Sequence, residues 1–342
     1  MPKILTFKEA IKISKGTKYL LLGNGFSISL FPNLFSYSSL LLQANFKLNP
    51  KTKKVFDVIG TTDFERVIKT LKNAALLIPI YDKESNLSLL LKSEAEALKK
   101  ILVDSITKNH PNNINLIEEN KLKSCNLFLS KFNKIYTLNY DLLLYWTLVH
   151  GKSDNTQTID DGFRNPDYEY GSDYRTFDSP HSPSFWYLHG GLHLFDAGSD
   201  LRKYVWSDTG KSILDQVKAA LDKELYPLFV SEGTSLEKMT KISHSAYLSK
   251  ALRSFEEICK KKGDLFIFGH SLADNDGHIL SKICKGKISK LFVSLYMPES
   301  DESKEIIKKA NKLSEERSSK FPLEVIFYDA DTAYVWNSVD AK

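Results

Sequence analysis

Short apolar runs alternate with longer amphipathic segments along this chain. Each run ends in small or polar residues, which is typical of buried strands in a parallel sheet. The runs are residues 19–22, 134–138, 185–188, 226–230, 264–268, 291–296 and 323–328. Most of the segments between them have helical spacing of their apolar residues. This alternation predicts an α/β fold with a doubly wound, mainly parallel sheet.

Capping signals mark where helices begin. One helix is predicted to begin after Thr6, because Glu9 three positions later completes a capping box. Residues 61–68 begin another, with threonine or aspartate as the cap and Glu65 in the first turn. The segment from Ile28 to about Asn45 also predicts a helix. Helical spacing over about 64–132 predicts an insertion between the first two strands of the sheet, serving as a lid or an oligomer surface, and nothing in it indicates chemistry.

One long segment has no useful period. Residues 151–183 are rich in Asp, Gly, Ser, Tyr and Pro, so we predict a long loop. Such loops in compact domains are usually functional or mobile, and this one is a candidate lid over a site. We interpret residues 1–342 as a single domain that carries the helical insertion and this loop.

Composition narrows the choice of partners. Of the 342 residues, 42% are hydrophobic, and the net charge of +5 is small for this length. We therefore do not expect nucleic acid as a partner of this chain. No apolar stretch has the length of a membrane span and the first residues do not form a signal peptide, so a cytoplasmic protein without membrane contact is expected. Its three cysteines, Cys125, Cys259 and Cys284, form neither a disulfide framework nor a paired metal motif.

The first strand of the predicted sheet runs into a glycine turn. Gly23 and Gly25 allow the backbone to turn tightly and approach a phosphate, and the N–H groups that follow could face an anion. The third glycine of the dinucleotide fingerprint is missing, with Ser27 and Ser29 near its place. On its own, the turn leaves a phosphate site and an ordinary turn equally open.

Three further strands also end in residues that can bind or react. Asn139 and Asp141 follow one strand, His189 follows another, and residues 269–271 follow a third. Taken singly, each has a structural explanation as a helix cap or a turn residue. Because open α/β sheets bind ligands beyond the carboxyl ends of their strands, the four turns together predict one pocket.

In this order, the four turns resemble the sirtuin-like superfamily. More narrowly, they are similar to its bacterial branch, whose members hydrolyse NAD⁺ in antiphage defence. The segments that carry the resemblance are Gly23-Asn24-Gly25-Phe26-Ser27, Thr137-Leu138-Asn139-Tyr140-Asp141, Leu188-His189-Gly190 and Gly269-His270-Ser271-Leu272-Ala273-Asp274. Residues 62–65 also resemble a short acidic-aromatic motif of that branch. The resemblance extends from about residue 20 to residue 276, and it implies a Rossmann-like fold that holds NAD⁺.

The resemblance also implies a role for each matching residue. Asn139 and His189 match the catalytic asparagine and histidine of the family, and Asp141 matches a carboxylate near the nicotinamide. The residues that match its cofactor-binding positions are Gly23, Asn24, Gly25, Phe26, Ser27, Gly269, His270, Ser271 and Asp274. NAD⁺ is expected as the substrate, and no metal is expected.

These residue types suit cleavage of the bond between nicotinamide and ribose, whose transition state is oxocarbenium-like. An asparagine amide can orient ribose hydroxyls and a water without adding charge, and a histidine can act as the general base. The expected function is an NAD⁺ glycohydrolase that releases nicotinamide and ADP-ribose, as an NAD⁺-depleting effector in antiphage defence. The sequence does not separate NAD⁺ from NADP⁺.

Two other classes of function stay open. One is a zinc-free sirtuin-type deacylase or an ADP-ribosyltransferase; three cysteines cannot build the four-cysteine zinc module of protein-deacylating sirtuins. The other is a non-catalytic sensor of NAD⁺ or ADP-ribose, which has no need of both Asn139 and His189. A homo-oligomer is expected on family grounds. A separate sensor or ATPase subunit is a further expectation, since the sequence has no GxxxxGK[ST] motif.

Overall fold

The computed structural model describes residues 2–153, 160–164, 174–178, 183–196, 201–205, 211–223, 225–231 and 234–337. The strands are β1 (Ile4–Leu5), β2 (Lys18–Leu22), β3 (Lys134–Thr137), β4 (Phe163–Arg164), β5 (Tyr174–Phe177), β6 (Phe185–Tyr187), β7 (Leu194–Asp196), β8 (Leu201–Tyr204), β9 (Asp264–Phe268), β10 (Lys290–Leu295) and β11 (Glu324–Asp329). The α-helices are α1 (Phe7–Ile13), α2 (Gly25–Ile28), α3 (Pro32–Phe35), α4 (Tyr37–Gln43), α5 (Pro50–Ile59), α6 (Phe64–Tyr81), α7 (Leu87–Asn109), α8 (Glu119–Leu129), α9 (Leu143–Ser153), α10 (Ile213–Leu221), α11 (Ser235–Ser243), α12 (Ala246–Cys259), α13 (Gly277–Lys285) and α14 (Asp301–Glu315). Short 3-10 helices lie at Ile114–Leu116, Asp274–Asp276 and Asp331–Ala333.

A seven-stranded sheet in the order β1-β11-β10-β9-β2-β3-β6 forms the centre of the fold, and its neighbouring strands pair in parallel. The chain adds β3 and β6 on one side of β2, and β9, β10 and β11 on the other, so the strand order reverses beside β2. All five residues of β9 are buried, which explains why the apolar runs are continuous rather than alternating. The predicted fold class, a Rossmann-like α/β fold with a doubly wound, mainly parallel sheet, is confirmed.

Two helices begin where their caps predict. At α1, the N–H of Glu9 donates to the hydroxyl of Thr6, and the N–H of Thr6 donates to the Glu9 carboxylate. At α6, a carboxylate oxygen of Asp63 accepts hydrogen bonds from the N–H groups of Glu65 and Arg66. Helices α6, α7 and α8 lie between β2 and β3 in the chain, where the sequence predicts the insertion, and α6 packs against α7.

Two predicted elements are wrong. The strand expected at 226–230 does not form, because its N–H groups bond elsewhere: Leu228 donates to Leu194 and Val230 donates to His189. The single helix expected from residue 28 to about 45 is divided into α2, α3 and α4. A proline at the first position of α3 and the side chain of Ser36, which caps α4, divide it.

A second, antiparallel sheet in the order β4-β5-β8-β7 was not predicted. Strands β4 and β5 lie inside the segment predicted as a long loop, and residues 154–159, 165–173 and 179–182 of that segment lie outside the described residues. A buried ion pair between Lys203 of β8 and Asp161, next to β4, links two parts of this sheet. Among the described helices, none combines the length and the apolar character that crossing a membrane requires.

Candidate active site

A cavity of about 710 Å³ lies at the carboxyl ends of the central strands. Residues that follow β2, β3 and β9 line it, at the place where the strand order reverses and where open α/β sheets bind ligands. Its volume is in the range of small-molecule and cofactor sites. Nine predicted site residues line this cavity, namely Gly23, Asn24, Gly25, Asn139, Asp141, His189, Gly269, His270 and Ser271.

The turns that follow β2 and β9 touch each other through their glycines. The N–H of Gly25 donates to the carbonyl of Gly269 at 2.8 Å. A Cβ atom on Gly25 would lie 2.6 Å from the Cα of Gly269, which itself has a φ of +67°. Bare backbone therefore forms this wall of the cavity.

Most N–H groups of the first turn donate to carbonyls of the protein. That N–H groups of this turn face an anion stays a prediction. The N–H of Gly23 donates to the carbonyl of Phe268, that of Phe26 to Gly23, and that of Ser27 to Asn24. The glycines let the backbones of the two turns approach each other closely.

Ser27 does not line the cavity but connects two predicted residues that do. Its hydroxyl donates to Asp141 at 2.5 Å and accepts from the amide nitrogen of Asn139 at 3.0 Å. The other carboxylate oxygen of Asp141 accepts from the N–H of Leu143 at the start of α9, and burial raises the pKa of Asp141. Since the amide nitrogen of Asn139 is held by Ser27, the amide oxygen is the end that can accept a hydrogen bond from a ligand.

The two remaining predicted residues, Phe26 and Asp274, also lie outside the lining. Phe26 is fully buried and packs against Trp336, whose indole N–H donates to the carbonyl of Phe26 at 2.9 Å. Trp336 itself lines the cavity. Asp274 is exposed, and Asp276 of the same 3-10 helix faces the cavity in its place.

A buried charge network lies beside these residues. The ammonium of Lys238 lies 2.7 Å from a carboxylate oxygen of Glu65 and 2.9 Å from one of Asp276. Burial raises the pKa of Glu65 to about 7 even though Lys238 opposes this. Burial also disfavours the charged form of Asp276, but a hydrogen bond from His270 and the charge of Lys238 hold its pKa well below the ordinary value.

His189 is buried beside this network. Its Nε2 atom lies 2.9 Å from Nε2 of His278 and 3.8 Å from Oδ1 of Asp276. The rings of Tyr140 and His278 stack against its ring. Burial, followed by the charge of Lys238, lowers the pKa of His189 well below the ordinary value. His189 is therefore neutral near pH 7 and able to accept a proton.

His189, Asp276 and His278 each offer a metal-ligand atom, and these atoms lie within 4.8 Å of one another. Two features weigh against a metal. The Asp276 oxygen nearest His189 is already in contact with the Lys238 ammonium, and Nδ1 of His278 has no partner among the described residues, whereas ligating histidines usually donate their second N–H. We interpret the contact between the two imidazoles as a hydrogen bond. The absence of a metal stays a prediction.

The residues of the buried network around Lys238, apart from His189 and His270, were not assigned from the sequence. Glu65 lies in the acidic-aromatic motif at 62–65, so the insertion, in which the sequence indicated no chemistry, contributes to the cavity lining. Asp276 and His278 follow directly after the last motif, which is the signal that could have found them. Nothing in the sequence distinguishes Lys238 from the many other lysines on amphipathic helices.

A model of one protein family matches residues 20–336. The chain belongs to the DUF4917 family. This family is described only as a domain of unknown function, so membership in DUF4917 assigns no activity. No curated protein matches the chain.

Among solved structures, the DUF4917 chain is similar to one from work on the mechanism and regulation of Sir2 enzymes, with 12% identity and a TM-score of 0.34. That match covers 90% of this chain and 95% of the other. A second is a Sir2 mutant with a p53 peptide and NAD, with 12% identity and a TM-score of 0.32, covering 91% and 96%. The fold described above rests on the sheet itself and not on these likenesses.

Proposed function

We propose that this chain is an NAD⁺ glycohydrolase that cleaves NAD⁺ to nicotinamide and ADP-ribose. The observation that supports it is the meeting of Asn139, His189 and the two glycine turns around one cavity. These groups come from the ends of β2, β3, β6 and β9, far apart in the chain. The agreement between their motifs, their shared location and the chemistry of the bond to be broken is what favours an enzyme of this class.

The cavity offers distinct places for the parts of NAD⁺. The pyrophosphate is proposed to lie against Gly23, Gly25 and Gly269, which line the cavity and present only backbone atoms to it. The nicotinamide ribose is proposed to lie between Asn139 and His189. Asp141, which is hydrogen-bonded through Ser27 to Asn139, is then near the nicotinamide.

The proposed reaction breaks the bond between nicotinamide and the ribose carbon. Nicotinamide leaves with the bonding electron pair and becomes neutral, while positive charge develops on the ribose. Water adds to that carbon and its proton passes to neutral His189, the general base. The amide oxygen of Asn139 accepts a hydrogen bond from the water or a ribose hydroxyl and so orients it.

The biological role that we propose is NAD⁺ depletion in antiphage defence, in the cytoplasm. It rests on the motif resemblance alone. Since unregulated hydrolysis would exhaust the NAD⁺ of the host, we propose that a homo-oligomer, or a separate sensor or ATPase subunit, gates the activity.

The test uses purified protein and chromatography, which measures the loss of NAD⁺ and identifies the products. We expect nicotinamide and ADP-ribose from the wild type and no product from Asn139→Ala or His189→Ala. Asn311→Ala and His244→Ala are matched controls at exposed positions outside the cavity lining, and they should keep full activity. Undiminished turnover in both site variants would remove the assignment.

Other product patterns would identify the alternatives. Transfer of ADP-ribose to a protein or nucleic acid, or NAD⁺ consumption that requires an acylated peptide, would replace the hydrolase by a transferase or a deacylase. Tight NAD⁺ or ADP-ribose binding without turnover, both in vitro and in cells that express the protein, would favour a sensor.

A further inference from the structure

Lys238 occupies an unusual position for a lysine. Its side chain is 1% exposed, and its ammonium contacts Glu65 at 2.7 Å and Asp276 at 2.9 Å. Lys238 and its two partners come from three separate parts of the chain: helix α11, the insertion helix α6 and the 3-10 helix that follows β9. Burying three charged groups is costly unless their geometry is good, so a position like this needs an explanation.

The explanation that we favour is the contact between Asp276 and His189. The Asp276 oxygen that Lys238 contacts is also the oxygen that lies 3.8 Å from Nε2 of His189. The ammonium and the imidazole therefore share one carboxylate oxygen and lie less than about 7 Å apart. A positive charge at this distance opposes a second one on His189, which corresponds to a shift of about one pH unit or more in its titration midpoint.

The other groups that face His189 do not supply this effect to the same degree. Asp276 favours a protonated His189, and His278 and His270 oppose it less strongly than Lys238 does. The ring of Tyr140 stacks on His189 and brings no charge. Among these neighbours, Lys238 is the group whose removal would change the protonation of His189 most.

We propose that Lys238 is a positioning residue of this active site: its ammonium fixes Asp276 and keeps His189 in the neutral form that accepts a proton. The proposal rests on the proposed NAD⁺ glycohydrolase function for its consequence in catalysis. Its electrostatic part is independent of any reaction. Glu65 balances the charge of Lys238 and ties the helical insertion to the site.

A single Lys238→Met change would leave two carboxylates buried without their cation, which destabilises the fold strongly. The double variant Lys238→Met with Glu65→Gln removes one positive and one negative charge together and keeps Asp276 bonded to His270. Lys238→Arg keeps the charge. Lys72→Met is the matched control, because Lys72 pairs with Glu237 and Glu96 away from His189. Thermal unfolding identifies the variants that are folded.

The measurement is the titration of His189 by NMR of histidine-labelled protein, assigned with His189→Gln. We expect the His189 midpoint to rise by about one pH unit or more in the double variant, and to stay at the wild-type value in Lys238→Arg and Lys72→Met. In parallel, the acidic limb of the pH profile of NAD⁺ turnover should move to higher pH in the double variant only.

An unchanged His189 midpoint in the folded double variant would overturn the role of Lys238, whatever happens to turnover. Metal-dependent shifts of the His189 and His278 signals on adding Zn²⁺ to the wild type would also overturn it, because Lys238 would then have to leave Asp276. If the midpoint rises as expected but no form of the protein consumes NAD⁺, the proposed function fails and the electrostatic inference stands.

Discussion

At the scale of single residues, Asp141 does two things that the sequence presented as alternatives. One carboxylate oxygen accepts from the N–H of Leu143 at the start of α9, as a cap does, and the other accepts from Ser27, which holds Asn139. A capping motif and a site motif can therefore be the same residues. The small hydroxyl of Ser27 is the connection between them.

Ser27→Ala tests this connection. It removes the donor to Asp141 and the acceptor of Asn139, so we expect turnover of NAD⁺ to fall at least about tenfold and the free energy of unfolding to fall by about 1–2 kcal/mol. Ser105→Ala is the control, since that buried hydroxyl donates to the carbonyl of Ile101 in its own helix. Steady-state kinetics and urea unfolding measure both effects. Wild-type turnover in Ser27→Ala would show that Asn139 does not depend on Ser27.

The location of a cavity residue could be predicted from the sequence where that residue follows a strand, and could not be predicted where it lies on a helix. Asn139 and His189 follow apolar runs, so the parallel sheet alone brings them to one edge. Lys238 lies on an amphipathic helix, and its partners Glu65 and Asp276 are 173 and 38 residues away. Which lysine is buried depends on tertiary packing that no local pattern records.

At the scale of elements, continuous apolar runs identified six strands of the main sheet, because most residues of those strands are buried. The two-residue strand β1 is too short to form such a run and was missed. Apolar runs do not identify the strands of the second, antiparallel sheet. Strands β7 and β8 are short, and β8 has the sequence Leu-Arg-Lys-Tyr, which has no apolar run. Residues 226–230 do have an apolar run, but in the described part of the chain their strand-like pairing is limited to an isolated bridge between Phe229 and Gly190.

The contact between the two glycine turns gives a prediction at this scale. Gly25→Ala places a Cβ atom 2.6 Å from the backbone of Gly269, so we expect a loss of about 1–3 kcal/mol in the free energy of unfolding and weaker NAD⁺ binding. Gly60→Ala is the control. The φ of +66° at this position strains an alanine and lowers the free energy of unfolding by about 1 kcal/mol, but the new Cβ atom lies in open space away from the site. Urea unfolding and calorimetric titration with NAD⁺ measure the two effects. Equal binding by both variants would contradict a ligand seated on the turn.

At the scale of the whole molecule, buried histidines make stability depend on pH. The pKa values of His110 and His278 are lowered to about 4 by burial, and those of His189 and His193 are lowered well below the ordinary value for the same reason. Between about pH 6.5 and 4 the unfolded chain therefore binds more protons, and stability falls as the pH falls. Burial raises the pKa of Glu65 to about 7 and also raises the pKa values of Asp63 and Asp141. These three carboxyl groups act in the opposite direction to the four histidines.

We expect a lower melting temperature at pH 5 than at pH 7, with each histidine contributing up to about 1.4 kcal/mol per pH unit. Calorimetry at the two pH values measures this, and His110→Gln should reduce the difference. An equal or higher melting temperature at pH 5 would mean that these imidazoles are already charged in the folded protein.

The end of the α6–α7 pair exposes apolar side chains that a monomer would leave in water. Five of them are between 55% and 88% exposed, namely Leu76, Leu77, Ile80, Tyr81 and Leu89. Such a patch commonly marks an interaction surface. We expect self-association through it, and Ile80→Glu should lower the mass measured by light scattering, whereas Leu127→Glu on α8 should not. A wild type that is monomeric at all concentrations would contradict this.

The packing of Trp336 on Phe26 has a consequence for how the protein is made. The hydrogen bond between these two residues spans 310 positions of the chain, so this part of the cavity lining is translated long after the glycine turn that it contacts. Before translation reaches Trp336, all strands of the sheet have been synthesised but the cavity lining is incomplete. If the protein consumes NAD⁺, the cell that synthesises it is spared this activity until the chain has been translated as far as Trp336.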